Sequence, residues 1–362
     1  MKLCFIGGYD PYYPRNFVLR KGLKRIGLDI SECRAPAGYK FWLRYPLLCF
    51  KAMSCLGHHN FFLVPEFCQK DIPLAKFLAR LASTRVIFDP LASRYETKIL
   101  DWKRKSPNSW TAWWNFKIDS LAFRLSDLIL ADTQTHKNYY CQQYGLSKGK
   151  VEVLPLGYDN DLYKPQPERK SQPSTKAFEV LFFGSFLPLH GVETIIEAAR
   201  IVADTGRSLN FRLIGSGQTF SRALALVSEW KLTNVHFEGW QPQAVLPLKI
   251  GSAQICLGVF GQGEKVKRVV PHKIFQSLAC RRAVITLKTP ASEEFFSHKE
   301  NIYFCSKADA SQLAQAIVEL KEDSELRERI ASNGYYLVKE KFNPAAGALK
   351  LLKILNKRFN LH

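Results

Sequence analysis

Residues 257–282, LGVFGQGEKVKRVVPHKIFQSLACRR, constrain the fold more than any other stretch. They open at the end of a short apolar run, AQICLGVF, bounded by glycine as buried strands are. A glycine-punctuated basic segment follows. Pro271 then precedes a helical pattern, with Ile274, Phe275, Leu278 and Ala279 recurring at three- and four-residue spacing. A second apolar strand, AVIT, comes straight after. Strand, charged loop, helix, strand is a βαβ unit, and sheets of such units bind ligands at the carboxyl ends of their strands. Here that end carries Lys265, Lys267, Arg268 and Lys273 together with His272. A helix start among ammonium and guanidinium groups suits an anion, above all a phosphate.

A chain of 362 residues has room for two domains with substantial cores. Its formal charge of +20 points to polyanionic company: nucleic acid, an anionic membrane surface or a phosphorylated substrate. The nine cysteines include no CxxC pair and no His/Cys cluster, so neither zinc nor a disulfide framework is expected, and reduced thiols fit a cytosolic setting. The opening MKLCFIGGYD has too short an apolar core for a signal peptide and reads as a first strand and turn. No apolar run approaches the ~20 residues that span a bilayer.

From the amino end, residues 2–6 read as a buried strand and Gly7-Gly8 as a turn open to close approach. A helix carrying Phe17, Leu19, Leu23 and Ile26 stops at Gly27, with Arg15 at its start. Residues 39–57 place Lys40, Arg44 and Lys51 on one helical face, with Phe41, Trp42, Leu43, Leu47, Leu48 and Phe50 around the rest. That composition suits a membrane interface and a packed helix equally, and Pro46 marks a start or kink. Strands at 61–65 and 85–88 flank a helix at 72–82. The second strand ends in Asp89, an acid placed to bind a hydroxyl-rich acceptor or to cap a helix, with Arg94 close behind. Further cations stand among tryptophans at 102–105 and 110–117. A helix at 118–125, a strand at 128–131, a helix capped by 132–135 and a strand at 151–157 complete a doubly wound parallel alternation.

Residues 164–177, KPQPERKSQPSTKA, read as an interdomain linker. Beyond it a strand at 179–183 runs through Gly184-Ser185 and His190-Gly191 into a helix at 192–203. Such an entry offers backbone N–H groups to phosphate. A strand at 210–214 runs into Gly215-Ser216-Gly217, and one at 234–237 into Glu238-Gly239-Trp240, an indole on which a base could stack. Three glycine turns and a basic loop would then converge on one rim of one sheet.

In this order FFGSFLPLHGVETIIEAA, FRLIGSG, VHFEGW and VVPHKIFQSLACRRAVIT followed by TPASEEF resemble the group 1, family 4 retaining glycosyltransferases. Residues 132–135 and 153–159 are similar to the end of that family's first domain. The resemblance implies an α/β fold of GT-B architecture, two Rossmann-like doubly wound domains facing across a cleft. Residues 1–163 would hold the acceptor and 178–343 the nucleotide-diphosphate sugar, with a helix in 344–362 crossing back to the first domain. This sequence departs from the family pattern at three places. The Arg and Lys usual in the first phosphate loop are Ser185 and His190, the spaced glutamates are Arg268 and Gln276, and the first domain's catalytic-site His is Asp89.

Residues and resemblance together assign Lys273, Arg268, His190 and Asp89 to catalysis. Gly184, Ser185, Gly191, Gly215, Gly217, Trp240, Lys265, Lys267 and Gln276 are assigned to the donor, and Gly8, Arg15 and Arg94 to the acceptor side. The four cations of the basic loop and helix would supply the charge that the first loop lacks. The expected activity is retaining transfer to a saccharide or lipid-linked acceptor, in cell-surface polysaccharide or glycolipid synthesis. It calls for no cofactor and no metal, the leaving phosphate taking the acceptor's proton. The expected setting is cytoplasmic, with peripheral contact at the anionic inner face of the plasma membrane and no nucleic-acid partner. A GT-B epimerase or hydrolase of nucleotide sugars, and an inactive polyanion-binding scaffold, stand as alternatives.

Overall fold

Strand segments such as LCFI, FFLV and LILA are apolar at every position, so both faces must be covered, and parallel sheets with helices on each side do this. The computed structural model describes residues 1–53, 59–166 and 178–360. Its first sheet contains β1 (Lys2–Gly7), β2 (Asp29–Arg34), β3 (Phe61–Val64), β4 (Arg85–Phe88), β5 (Leu128–Ala131) and β6 (Val151–Val153), in the order β2-β1-β3-β4-β5-β6. The second contains β7 (Phe178–Phe183), β8 (Leu209–Ile214), β9 (Val235–Glu238), β10 (Ile255–Leu257), β11 (Ala283–Leu287) and β12 (Tyr303–Cys305), in the order β12-β11-β10-β7-β8-β9. Every pairing between these strands is parallel. Each sheet changes winding direction once, between β1 and β3 and between β7 and β10. Ligands bind beyond the carboxyl ends at such switch points.

The cores follow from the same runs. Phe5, Phe62, Ile87 and Ile129 in the first sheet, and Phe182, Phe211, Ile255 and Ile285 in the second, are wholly buried. Strand β2 has no apolar run to announce it. It is an edge strand in which Asp29, Glu32 and Arg34 face water, and its register on β1, Lys2 opposite Asp29, places it. The helix Trp110–Leu125 begins eight residues before the expected 118, because the Ser109 side chain accepts a hydrogen bond from the Ala112 amide and caps it.

The helix Phe41–Ala52 runs through Pro46 rather than starting there, and residues 54–57 of the basic–aromatic segment lie outside the described residues. Arg44 does not share an outward face with Lys40 and Lys51. It is buried, 2.9 Å from the Asp71 carboxylate, because a guanidinium turned inward here finds an acid.

The described chain divides into two compact units, Met1–Gly157 with Asn343–His362, and Tyr158–Phe342. Residues 158–163, assigned to the first domain from sequence, side with the second. Tyr158 and Tyr163 are buried there, and the Tyr158 amide donates to the Phe342 carbonyl. The 167–177 part of the expected linker lies outside the described residues.

Within the first unit the helix Pro344–Phe359 packs on the helix Pro14–Arg25. Leu351 and Leu355 enter the core, and a Cβ on Gly22 would lie 1.9 Å from the Pro344 carbonyl oxygen. An ordinary mid-helix Gly→Ala change gains ~0.5–1 kcal/mol. Here overpacking, typically ~1–3 kcal/mol, opposes that gain and exceeds it. Gly22→Ala should therefore lower the urea midpoint of the protein. A midpoint at or above wild type would refute the close approach.

Candidate functional site

Backbone contact builds the switch point of the second sheet. The chain leaves β7 at Gly184 and turns through Pro188–His190 to Gly191, which has φ 62° and starts the helix Val192–Asp204. The Phe260 amide donates to the His190 carbonyl at 3.0 Å, and the Gly261 amide to the Leu189 carbonyl at 3.1 Å. A Cβ on Gly191 would lie 2.3 Å from the Phe260 carbonyl carbon, so only glycine fits. The turn after β8 packs on the same loop, the Phe186 amide donating to the Ser216 carbonyl and the Thr219 amide to the Phe186 carbonyl. Gly215 and Gly217 serve this loop-on-loop contact. The amides of Gly184 and Gly191 donate to protein carbonyls, so the N–H groups expected to meet phosphate at this entry are engaged at these two glycines, as is the Gly215 amide after β8.

Lys273 lies at the foot of the helix His272–Ala279 and is 6% exposed. Its Nζ has no hydrogen-bond acceptor among the described residues and sits 3.8 Å from the centroid of the Phe182 ring, beneath Gly184. Burial pushes its pKa well below the usual lysine range. His190 is buried beside it. Its Nδ1 donates to the Ser185 carbonyl, which leaves the Nε2 lone pair to accept. Burial, and then the charges of Lys273 and Lys265, hold His190 well below its ordinary pKa, so it is neutral. Trp240, 69% exposed, lines a small pocket with Gly184 and Gly215. Gln276 is buried in the same helix as Lys273, and Arg268 is half-buried. Lys267 differs: its ammonium is 2.6 Å from Glu264 with both side chains largely in water, so its charge is answered locally.

In the first domain the structure joins two residues that the sequence kept apart. Arg15 grips Asp89 through Nε at 2.7 Å and Nη2 at 3.2 Å, and its Nη1 donates to the Pro155 carbonyl. Both residues are buried. Asp89 is thus not a free acid at a strand tip, and Arg15 is not a free clamp. Beside them Asn16 donates to Glu66, whose carboxyl burial pushes up to about 9, so it is neutral at pH 7. Gly8 donates its amide to Asp71 and lies against the Arg44 guanidinium. Arg94 donates from Nε to Asn115 at 3.1 Å, and the amides of Arg94 and Tyr95 donate to Asp119. Sequence reasoning missed Glu66, Asp71 and Asp119. The one signal was an acid closing an apolar run, FFLVPEF.

Residues 164–337 match the family model for glycosyl transferases group 1. The chain carries a group 1 glycosyltransferase domain. The matched span holds the second-domain site residues from Phe182 to Gln276. Over 295 residues the chain is 25% identical to the lipopolysaccharide core biosynthesis glycosyltransferase LpsD of Rhizobium meliloti, covering 76% of this chain and 79% of that one. It is 22% identical over 198 residues to the putative colanic acid biosynthesis glycosyltransferase WcaL of Escherichia coli, covering 54% of this chain and 48% of that one. Two solved structures share the fold. Anabaena HepE, in complex with UDP and glucose, aligns with TM-score 0.73 and 16% identity over 98% of this chain and 99% of its own. Sucrose-phosphate synthase from Thermosynechococcus elongatus aligns with TM-score 0.77 and 16% identity over 99% of each chain. The glycosyltransferase has the two parallel six-stranded sheets of GT-B proteins.

A third buried group lies off these sites. His136 places Nδ1 2.6 Å from Asp132 and Nε2 3.3 Å from Glu96, all three buried. Burial opposes its charge, but the two carboxylates outweigh burial and carry the pKa up to about 9. The unfolded value is lower, ~6.5. The imidazolium therefore contributes its full stability below about pH 6.5 and loses it as pH rises towards 9. The melting-temperature deficit of His136→Gln should be largest at pH 6 and shrink by pH 9.5. A deficit constant across that range would rule out the charged triad.

Proposed function

We propose that this glycosyltransferase moves a sugar, with retention, from a uridine-diphosphate sugar to a saccharide or lipid-linked acceptor in cell-surface polysaccharide or glycolipid synthesis. The observation that carries the donor site is the buried amine of Lys273, which has no hydrogen-bond acceptor among the described residues and stands at the β7/β10 switch point. A diphosphate placed there supplies the missing partner. HepE, with the same fold, is described with UDP and with UDP-glucose, and LpsD and WcaL are named for lipopolysaccharide and colanic acid synthesis.

In this reading the acceptor hydroxyl attacks the sugar's C1 from the face of the leaving group. The bond from C1 to the β-phosphate oxygen breaks with its electron pair on oxygen, and that oxygen takes the hydroxyl proton as the new glycosidic bond forms. Lys273 and Arg268 stabilise the charge developing on the diphosphate, where one well-placed donor is worth ~2.7–4 kcal/mol. Side-chain cations, rather than a metal, take that role. The anion also opposes the burial and repulsion that keep His190 neutral, letting it gain a proton and donate. Trp240 stacks the base and Gln276 bonds the ribose.

Calorimetric titration with UDP, UDP-glucose and GDP tests the donor site. UDP and UDP-glucose should bind wild type, and Lys273→Met should weaken both at least ~100-fold. The ligand-free Met variant should also melt higher, because it no longer buries an ionisable amine without an acceptor. Equal affinity in the two proteins would overturn the assignment. Sugar release without acceptor, at the rate seen with it, would favour the hydrolase alternative.

We also propose that the first domain rests on an anionic membrane. Among the described residues no helix is long and apolar enough to cross one. Yet Trp42, Phe50 and Trp110 are 55%, 70% and 72% exposed, and the ammoniums of Lys40 and Lys117 lie over the rings of Trp42 and Trp113. Aromatics and lysines together suit the headgroup layer. The protein should sediment with phosphatidylglycerol vesicles, and Trp42→Glu with Phe50→Glu should abolish this. Sedimentation unchanged in that variant would sink the idea.

A further inference from the structure

We propose that Arg44, Lys70, Arg94 and Lys98 form a cradle in the first domain for a phosphate or diphosphate group on the acceptor. The inference rests on the transferase reading, with the acceptor bound by this domain.

Three neighbouring strands deliver the four cations to one place. Arg44 reaches from the helix Phe41–Ala52 onto Gly8, just past the carboxyl end of β1. Lys70 belongs to the 3-10 turn Gln69–Asp71, beyond the end of β3. Arg94 follows β4, and Lys98 lies in the π-helical turn Glu96–Asp101 just after it. Since β1, β3 and β4 are adjacent in the sheet, these loops share one stretch of its carboxyl rim, including the β1/β3 switch point.

The charges there are not balanced. Among the described residues neither Lys70 nor Lys98 is in an ion pair, and the Arg44 Nε is buried without a partner. Burial first lowers the pKa of each of Lys70, Arg94 and Lys98, and neighbouring cations add to it, opposed at Arg94 by Asp119. Lys70 experiences the charges of Arg94 and Arg44, and Lys98 those of Arg94, Lys70 and Arg104. Screening limits such mutual influence to near neighbours. Two acids adjoin the group. Asp71 is held by Arg44 and the Gly8 amide. Asp119 is held by two amides, and burial pushes it up to about 7, so much of its charge is absent at neutral pH.

Half-buried like charges repel in the ligand-free protein, and a multiply charged anion reverses the sign of that energy. Two guanidinium forks and two ammoniums match the oxygens of phosphate or diphosphate. One side of the group is apolar: the Lys70 Nζ lies 5.8 Å from the Phe41 ring centroid, and Phe41, Trp42 and Leu43 are exposed. The phosphate can be carried by a lipid or by a soluble saccharide.

The test is calorimetric titration of the full chain, with UDP saturating so that the donor site is filled. The probes are inorganic diphosphate, farnesyl diphosphate and glucose 6-phosphate. Wild type should bind inorganic diphosphate, and Lys70→Gln with Lys98→Gln should weaken it at least tenfold, with UDP affinity unchanged. Lys353→Gln with Lys357→Gln, an equal loss of charge elsewhere, should change it less than twofold. Farnesyl diphosphate binding tighter than inorganic diphosphate assigns the phosphate to a lipid carrier, and glucose 6-phosphate matching it assigns a phosphorylated saccharide. Should the double variant not fold, Lys98→Gln alone gives the same reading. No binding of any probe by the UDP-loaded wild type, or equal losses in the two double variants, would overturn the cradle. If UDP itself fails to bind while the first pair still selectively loses diphosphate, the transferase reading falls and the cradle stands.

Discussion

The loops after β7 and β10 touch backbone to backbone, and the chemistry of the second domain depends on that contact. Hydrogen bonds from Phe260 and Gly261 to the carbonyls of His190 and Leu189 close the gap, and Gly191 leaves no room for a side chain between them. With the loops so fixed, His190 is seated against Phe182 and the Ser185 carbonyl, and Lys273 points at an aromatic face instead of an acid. A cation over a ring recovers ~2 kcal/mol or more when desolvated. Burying an unpaired ammonium costs several kcal/mol. The ring moderates the strain without removing it, and a site strained in this sense favours an anion.

Charge withdrawn from water is handled in two opposite ways. Arg15 with Asp89, and His136 with Asp132 and Glu96, are paired groups whose geometry leaves little for a ligand to add. Among the described residues Lys273 in one domain, and Lys70 and Lys98 in the other, have no such partner. Paired groups of the first kind hold loops in place, and groups of the second kind are where an incoming anion changes the free energy. Asp89 shows why the distinction needs a structure. As a letter at a strand tip it looks reactive, and in space it is the counter-charge that fixes Arg15.

Strand positions were legible because parallel strands covered on both faces are written as unbroken apolar runs. β2, polar and at the edge, left no such mark. The basic loop, the glycine turns and Lys273 could be found because their spacing is local. What could not be read was pairing between residues far apart in sequence: Arg15 with Asp89, Arg44 with Asp71, and Asn16 with Glu66 are 74, 27 and 50 positions apart. The wheel that set Arg44 beside Lys40 and Lys51 assumed water on that face, and only the fold shows Asp71 there. The glycines were legible as glycines, but their reason was not: the approach they permit is between loops, and the amides were read as free when they are engaged.

The helix Pro344–Phe359 closes the core of a domain that the chain left at Gly157. The first domain is therefore discontinuous, and the second is inserted whole within it. On the ribosome the order of completion inverts the order of synthesis. Residues 158–342 can fold as a continuous unit while the sheet begun at Lys2 still lacks Ala348, Leu351 and Leu355. Until that helix emerges, Gly22 lacks the neighbour packed against it, and the first domain is completed only after residues 158–342 have been synthesised.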